Sequence, residues 1–174
     1  MKRIHMKTFV LVVAMIVAVG CSRQAAEKAP AGNNESARIA STDVVEATPQ
    51  EATIAAGESG ELVVPIKIAN GYHVNANPPS FSYLKATELV MPAANGISVE
   101  FITYPDPLVK RFSFSEKELA VYEGEAVIKA RLKADKSAPA GKHNLSAQLR
   151  VQACDDKVCY APGVIDLKVP VNIK

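Results

Sequence analysis

An all-β sandwich of immunoglobulin-like type is the fold the sequence predicts for residues 43–174. Three observations carry it. About eight or nine short runs alternate apolar with polar residues, the period of half-buried strands. Turn signals built on Gly, Pro, Asn and Asp fall between them at regular spacing. No stretch of this region repeats its apolar residues convincingly at helical spacing. The length suits one domain with a single core. There is no tryptophan in the chain, so the buried tryptophan of antibody domains is missing and the likeness is one of architecture.

Taken in order, residues 44–48 and 52–56 are short candidate strands separated by Pro49 and Gln50. Gly57, Ser59 and Gly60 form a turn. Residues 61–69 are a clear strand, with Leu62, Val64, Ile66 and Ile68 on one face and Val63, Pro65 and Lys67 on the other. Pro65 lacks a backbone donor, which predicts an edge position or a bulge. Gly71 ends this strand. Residues 72–75 are a brief extended piece that stops at Asn77-Pro78-Pro79. Residues 86–91 and 97–103 are further strands, joined through Pro92 and Gly96. Residues 104–115 read as a loop containing Pro105, Pro107, Phe112 and Phe114. Residues 119–134 hold a strand interrupted near Gly124, with Ala126, Ile128, Ala130 and Leu132 on its apolar face. A turn at 137–142 follows. Residues 145–153 then alternate strictly, as do the residues around Ile165, Leu167, Val169 and Val171. The predicted core is Leu62, Val64, Ile66, Ile128, Leu132, Leu149 and Val151.

The last two strands are joined by a connection that holds Cys154 and Cys159, with the turn formers Asp155 and Asp156 between them. A disulfide across such a turn is geometrically reasonable, because flanking strand ends bring Cα atoms within ~4.4–6.8 Å. Two readings of it follow. As a staple, so small a loop stabilises by roughly 2 kcal/mol, less than a bridge between distant segments. As a redox bond, a small exposed loop suits exchange, since an attacking thiolate must reach a sulfur in line. The spacing is not that of a C-x-x-C motif. A zinc site is disfavoured, because two cysteines with His73 or His143 make an incomplete ligand set. No metal or cofactor is expected.

The N-terminus sets the compartment. Lys2, Arg3 and Lys7 precede an apolar run over residues 9–19, too short for a bilayer core of ~30 Å. Residues 1–20 read as a secretory signal peptide. Ala18-Val19-Gly20-Cys21 resembles a bacterial lipobox, with Ala18 where Leu is usual; lipidation of Cys21 is the favoured reading. Ala18 and Gly20 also suit an ordinary signal peptidase, which leaves Cys21 a free thiol. Residues 21–42 form the lipidated cysteine and a flexible linker rich in Ala, Ser, Asn, Gly and Glu. Ser22, rather than Asp, after the cysteine favours the outer over the inner membrane by resemblance to lipoproteins of diderm bacteria. The domain is thus expected to face the periplasm, where two nearby cysteines oxidise. Removing residues 1–20 takes three of the 20 basic residues and leaves 17 against 18 acidic ones. That balance supports no nucleic-acid partner, and a monomer is expected.

Four phrases carry a family resemblance: residues 71–79 (GYHVNANPP), 104–107 (YPDP), 114–124 (FSEKELAVYEG) and 149–162 (LRVQACDDKVCYAP). Together they resemble the N-terminal domain family of the bacterial thiol:disulfide interchange protein DsbD, over nearly all of residues 50–174. The resemblance implies an immunoglobulin-like sandwich whose paired cysteines exchange electrons with thioredoxin-like proteins. It implies that Cys159 attacks the partner's disulfide and that Cys154 resolves the mixed disulfide. His73 and Asn75 fall where DsbD carries two tyrosines beside its active site. An imidazole there lowers a thiol's pKa if it approaches one; the plainer reading of His73 is a half-exposed strand residue bonded to backbone. Tyr160 packs over the bond or covers the sheet edge. Phe114, with Phe112 as alternative, matches the phenylalanine of a loop that shields the disulfide in that family, or is a core residue at a loop base. DsbD continues into further redox domains and this sequence stops at Lys174, so a non-catalytic binding lipoprotein, its disulfide only shaping a loop, is the second functional reading.

The anchor is testable directly. Cys21→Ser is expected to release the protein from the membrane fraction or to stall its processing; unchanged fractionation and processing contradict lipidation.

Overall fold

A computed structural model describes residues 39–174. The chain begins with a 3-10 turn, η1 (Ser41–Val44), followed by β1 (Val45–Ala47), β2 (Ala52–Ile54), β3 (Ser59–Ile68), β4 (His73–Asn75), β5 (Glu88–Val90) and β6 (Ile97–Thr103). Then come β7 (Leu108–Lys110), β8 (Leu119–Tyr122), β9 (Glu125–Ala134), β10 (Gly141–Val151), β11 (Ala153–Cys154) and β12 (Gly163–Ile173). The fold is all-β, as expected, in three four-stranded sheets ordered β1-β3-β9-β6, β2-β12-β10-β5 and β11-β4-β8-β7.

The first two sheets make the sandwich. Each long strand alternates, and the inward set of each sheet enters one shared core: Leu62, Val64, Ile66, Ile128 and Leu132 from the first, Leu145, Leu149, Val151, Val169 and Val171 from the second. Every residue of the predicted core is buried. The interruption foreseen near Gly124 is the turn between β8 and β9, where Gly124 takes φ 61°, a left-handed conformation that costs glycine little.

Pro65 is not on an edge strand, for β3 lies between β1 and β9. It is tolerated because β1 ends at Ala47, opposite Ile66. Beyond that point the Pro65 carbonyl accepts the Thr48 N–H at 3.0 Å, and no ladder donor is required of its nitrogen. The segment 104–115 is not only loop: it contains β7, the edge strand of the third sheet, all three of whose residues are exposed. Exposure on both faces removes the alternation by which a strand is recognised. The run expected as one strand over 145–153 is divided. β10 stops at Val151, Gln152 breaks the ladder, and Ala153–Cys154 crosses into the third sheet beside β4. The start of the folded chain also differs from the expected boundary at residue 43. Ser41 is wholly buried and sits in η1, within the stretch that composition assigned to the linker.

Most of the core comes from the two main sheets, with Val74, Tyr122 and Ala153 added from the third, so the disulfide itself is expected to contribute little to stability. Reduction of the Cys154–Cys159 bond is expected to cost about 2 kcal/mol or less, leaving the β-rich circular dichroism spectrum intact at room temperature. Leu132→Ala, which opens a cavity at a fully buried site, is expected to cost more, about 2–5 kcal/mol by chemical denaturation. Loss of the folded spectrum on reduction alone contradicts this ranking.

Candidate disulfide site

The site is built on the short strand β11. Cys154 pairs with His73 of β4 on one side and with Cys159 on the other. The Asp155 N–H donates to Val158 O at 3.0 Å, and the Tyr160 N–H to Ala153 O at 2.8 Å. These two bonds flank the cysteines and make them a non-hydrogen-bonded antiparallel pair, the arrangement that brings side chains closest. Cys154 and Cys159 are joined, with Cα atoms 3.9 Å apart, nearer than the spacing expected from sequence.

Asp155 shapes the turn between them. Its Oδ1 accepts the N–H groups of Lys157 (2.7 Å) and Val158 (2.9 Å), an Asx turn, and its Oδ2 accepts the Tyr160 hydroxyl at 2.6 Å. The Tyr160 hydroxyl and then the two N–H groups hold the Asp155 carboxyl below the usual carboxylate range. The same bond to Asp155 pushes the Tyr160 hydroxyl up to about 12. Asp155 is thereby held ionised at the centre of the loop. The Tyr160 ring tilts against Tyr72, centroids 6.1 Å apart, and leans on the main core.

The two cysteines differ in exposure. Cys154 is 0% exposed, whereas Cys159 is partly exposed. Cross-strand partners share a face of a sheet, so His73 stands beside Cys154. His73 is only 2% exposed, which corrects the expectation of a half-exposed residue. It is not bonded to backbone through Nε2, which is buried without a partner. Burial lowers its pKa, opposed by the charges of Glu123, Asp156 and Asp155, while Lys110 lowers it further. With the disulfide closed, burial thus favours the neutral imidazole. Asn75, fully buried on the same strand, donates through Nδ2 to Lys85 O and Gln152 Oε1, both at 3.1 Å.

Phe112 and Phe114 differ in burial. Phe112 is buried in a second small core with Leu84, Leu119 and Val121, and stacks on His73 at 4.0 Å. Phe114 lies further out, 6.4 Å from His73 and 37% exposed. Between them, Ser113 Oγ donates to Asp156 O at 2.5 Å, joining the phenylalanine loop to the cysteine turn.

Three contributors were not singled out from sequence. Gln152 accepts the Lys85 N–H at 2.9 Å and donates to Tyr160 O at 3.2 Å, tying the far arm of the turn to β4. Ser113 makes one long-range bond and Ser41 two, through short polar side chains that leave no pattern in a sequence. Cys21 lies outside the described residues. Among the described residues no cluster of three or more His, Cys, Asp or Glu side chains is placed to hold a metal ion.

A sandwich carrying a cross-strand disulfide on a small auxiliary sheet, one cysteine buried and the other reachable, defines a class of thiol–disulfide domain. The chain belongs to the family described as "Thiol:disulfide interchange protein DsbD, N-terminal", whose family model matches residues 42–169. Among solved structures it is similar to the N-terminal periplasmic domain of ScsB from Proteus mirabilis, with 16% identity and a TM-score of 0.51. That match covers 75% of this chain and 47% of the ScsB chain, so the sequence spans about half of that relative's length. It is also similar to the DsbD N-terminal domain of Neisseria meningitidis in the reduced form, with 19% identity, a TM-score of 0.47, and coverage of 75% of this chain and 87% of that one. At such identities the likeness is one of fold. No curated protein matches the chain.

The Asp155–Tyr160 bond yields a titration test. A lowered carboxyl pKa makes the bond's contribution present above the ordinary carboxylate range and lost as pH falls through the lowered value. A raised phenol pKa makes it present below ~10 and lost as pH rises through about 12. In Asp155→Asn, the Tyr160 ring resonances are expected to titrate nearer 10 than 12. An unmoved titration refutes the assignment of the shift to Asp155.

Proposed function

We propose that the protein is a thiol–disulfide exchange module that passes electrons through Cys154–Cys159 between thioredoxin-like partners. The observation that carries the reading is the pair itself: within a DsbD N-terminal family domain, one cysteine is sealed at 0% exposure and its disulfide partner is reachable. Exchange requires in-line access to one sulfur and a second thiol held ready. The exposed member, Cys159, suits the first role and Cys154 the second, in agreement with the roles the family resemblance implies.

The steps balance as follows. A donor dithiol reduces the bond, giving two protein thiols and the donor's disulfide. The Cys159 thiolate attacks an acceptor disulfide, forming a mixed disulfide and releasing one acceptor thiolate. Cys154 loses its proton and attacks Cys159 Sγ, restoring the intramolecular bond and releasing the second acceptor thiolate. Two electrons and two protons have then passed to the acceptor. His73, the cross-strand neighbour of Cys154, is the candidate to take that proton. Lys157, two residues before Cys159, favours a thiolate there. The module works as a monomer facing the periplasm, held by a lipid on Cys21 and favouring the outer membrane.

One observation favours the second reading, a binding lipoprotein whose disulfide only shapes a loop: the turn is already fixed by the Asp155 bonds. Trapping separates the two. Cys154→Ala is expected to accumulate a dithiothreitol-sensitive adduct with an oxidised thioredoxin-like protein, and Cys159→Ala is not. Adducts from Cys159→Ala reverse the roles. A wild-type reduction potential well below about −300 mV marks a structural bond and sinks the exchange reading.

A further inference from the structure

Ser41 joins the two arms of the cysteine hairpin. Its Oγ accepts the N–H of Ala153, the residue before Cys154, at 3.0 Å, and donates to the carbonyl of Ala161, two residues after Cys159, at 2.6 Å. These partners lie 112 and 120 residues away in sequence. Ser41 is wholly buried. Its neighbour Thr42 closes the same place: a Cβ added at Gly163, just past the second arm, would come within 2.7 Å of Thr42 Cγ2. The glycine thus permits the turn η1 to seat against the hairpin base. Nothing else about η1 demands a buried hydroxyl, for its caps are extended backbone and its apolar contribution is Val44.

A hydroxyl that accepts from one arm and donates to the other is satisfied only while the arms hold their present separation. We infer that Ser41 is a positioning residue of the disulfide, a clamp that sets how strongly the closed Cys154–Cys159 bond is favoured over the dithiol. This rests on the exchange reading for its biological meaning, but not for its measurement. With the bond closed, the arms are held by covalent linkage as well as by the clamp. Once it is reduced, the clamp acts with the remaining backbone bonds, the Asp155 carboxylate and the Gln152 amide. Removing the hydroxyl therefore frees the dithiol more than the disulfide, and the equilibrium moves toward the dithiol.

The test equilibrates the full chain with glutathione buffers: the Cys154–Cys159 bond breaks, the glutathione disulfide forms, and two protons go to the protein thiols. Ser41→Ala is expected to shift this equilibrium about fivefold toward the dithiol, about 20 mV for a two-electron couple. Ile173→Val, a buried core change at the far end of the β10–β12 hairpin, is expected to lower stability without moving it. Equal behaviour of the two variants leaves Ser41 a merely structural residue and overturns the clamp. A second measurement needs no variant. Coupling is reciprocal, so reduction of the wild-type chain is expected to speed hydrogen exchange at the Ala153 amide, the N–H that Ser41 accepts. Unchanged protection there also overturns the clamp. Neither result depends on a partner, whereas a wild-type potential well below about −300 mV removes the exchange reading itself.

Discussion

The antiparallel register of one two-residue strand governs the rest of the site. β11 places Cys154 between His73 and Cys159, and every other feature follows from holding it there. The non-hydrogen-bonded pairing brings the sulfurs together without any demand on the sandwich core. The Asp155 turn fixes the loop length at which that pairing closes. The Gln152 amide ties the arms to Asn75 and Lys85, and the Ser41 hydroxyl ties both arms to η1. A shift of register by one residue would send the Cys154 side chain to the opposite face, away from both His73 and Cys159.

The two cysteines differ in burial. Asp155 and Asp156 keep the surroundings negative, as their effect on His73 shows, while the Asp155 carboxylate is fixed in place by three hydrogen bonds. Desolvation under Phe112 nevertheless lowers the pKa of His73. A buried thiol beside a neutral imidazole sits in surroundings where forming a thiolate is costly until a proton acceptor takes part. A partly exposed thiol on the outer arm pays no such desolvation. The site is therefore polarised by access to water.

The sandwich was legible in the sequence because its strands are half-buried and alternate: Leu62 to Ile68 and Leu145 to Val151 declare their faces residue by residue. The paired cysteines and the residues of the phrase around them were legible through composition and family resemblance. What stayed hidden has a common cause. β7 is exposed on all three residues, so it has no period to detect. Ser41 lies in a polar stretch, and its burial is decided by hydrogen bonds to residues more than a hundred positions away. The transfer of the chain from β10 to β11 turns on Gln152, a polar residue where the alternation already called for one. The burial of Phe112 and Phe114 depends on how a loop folds back, which spacing does not encode.

The directly opposed pairing of Cys154 and Cys159 also sets a timescale. When the bond is open, the ladder keeps the buried sulfur close to its partner, so the search that normally limits ring closure is already done. A covalent complex formed through Cys159 would face an internal competitor at high effective concentration from the moment it forms. Its lifetime would be governed by removal of a proton from Cys154 rather than by chain diffusion. In the proposed exchange, such a complex would be short-lived rather than held.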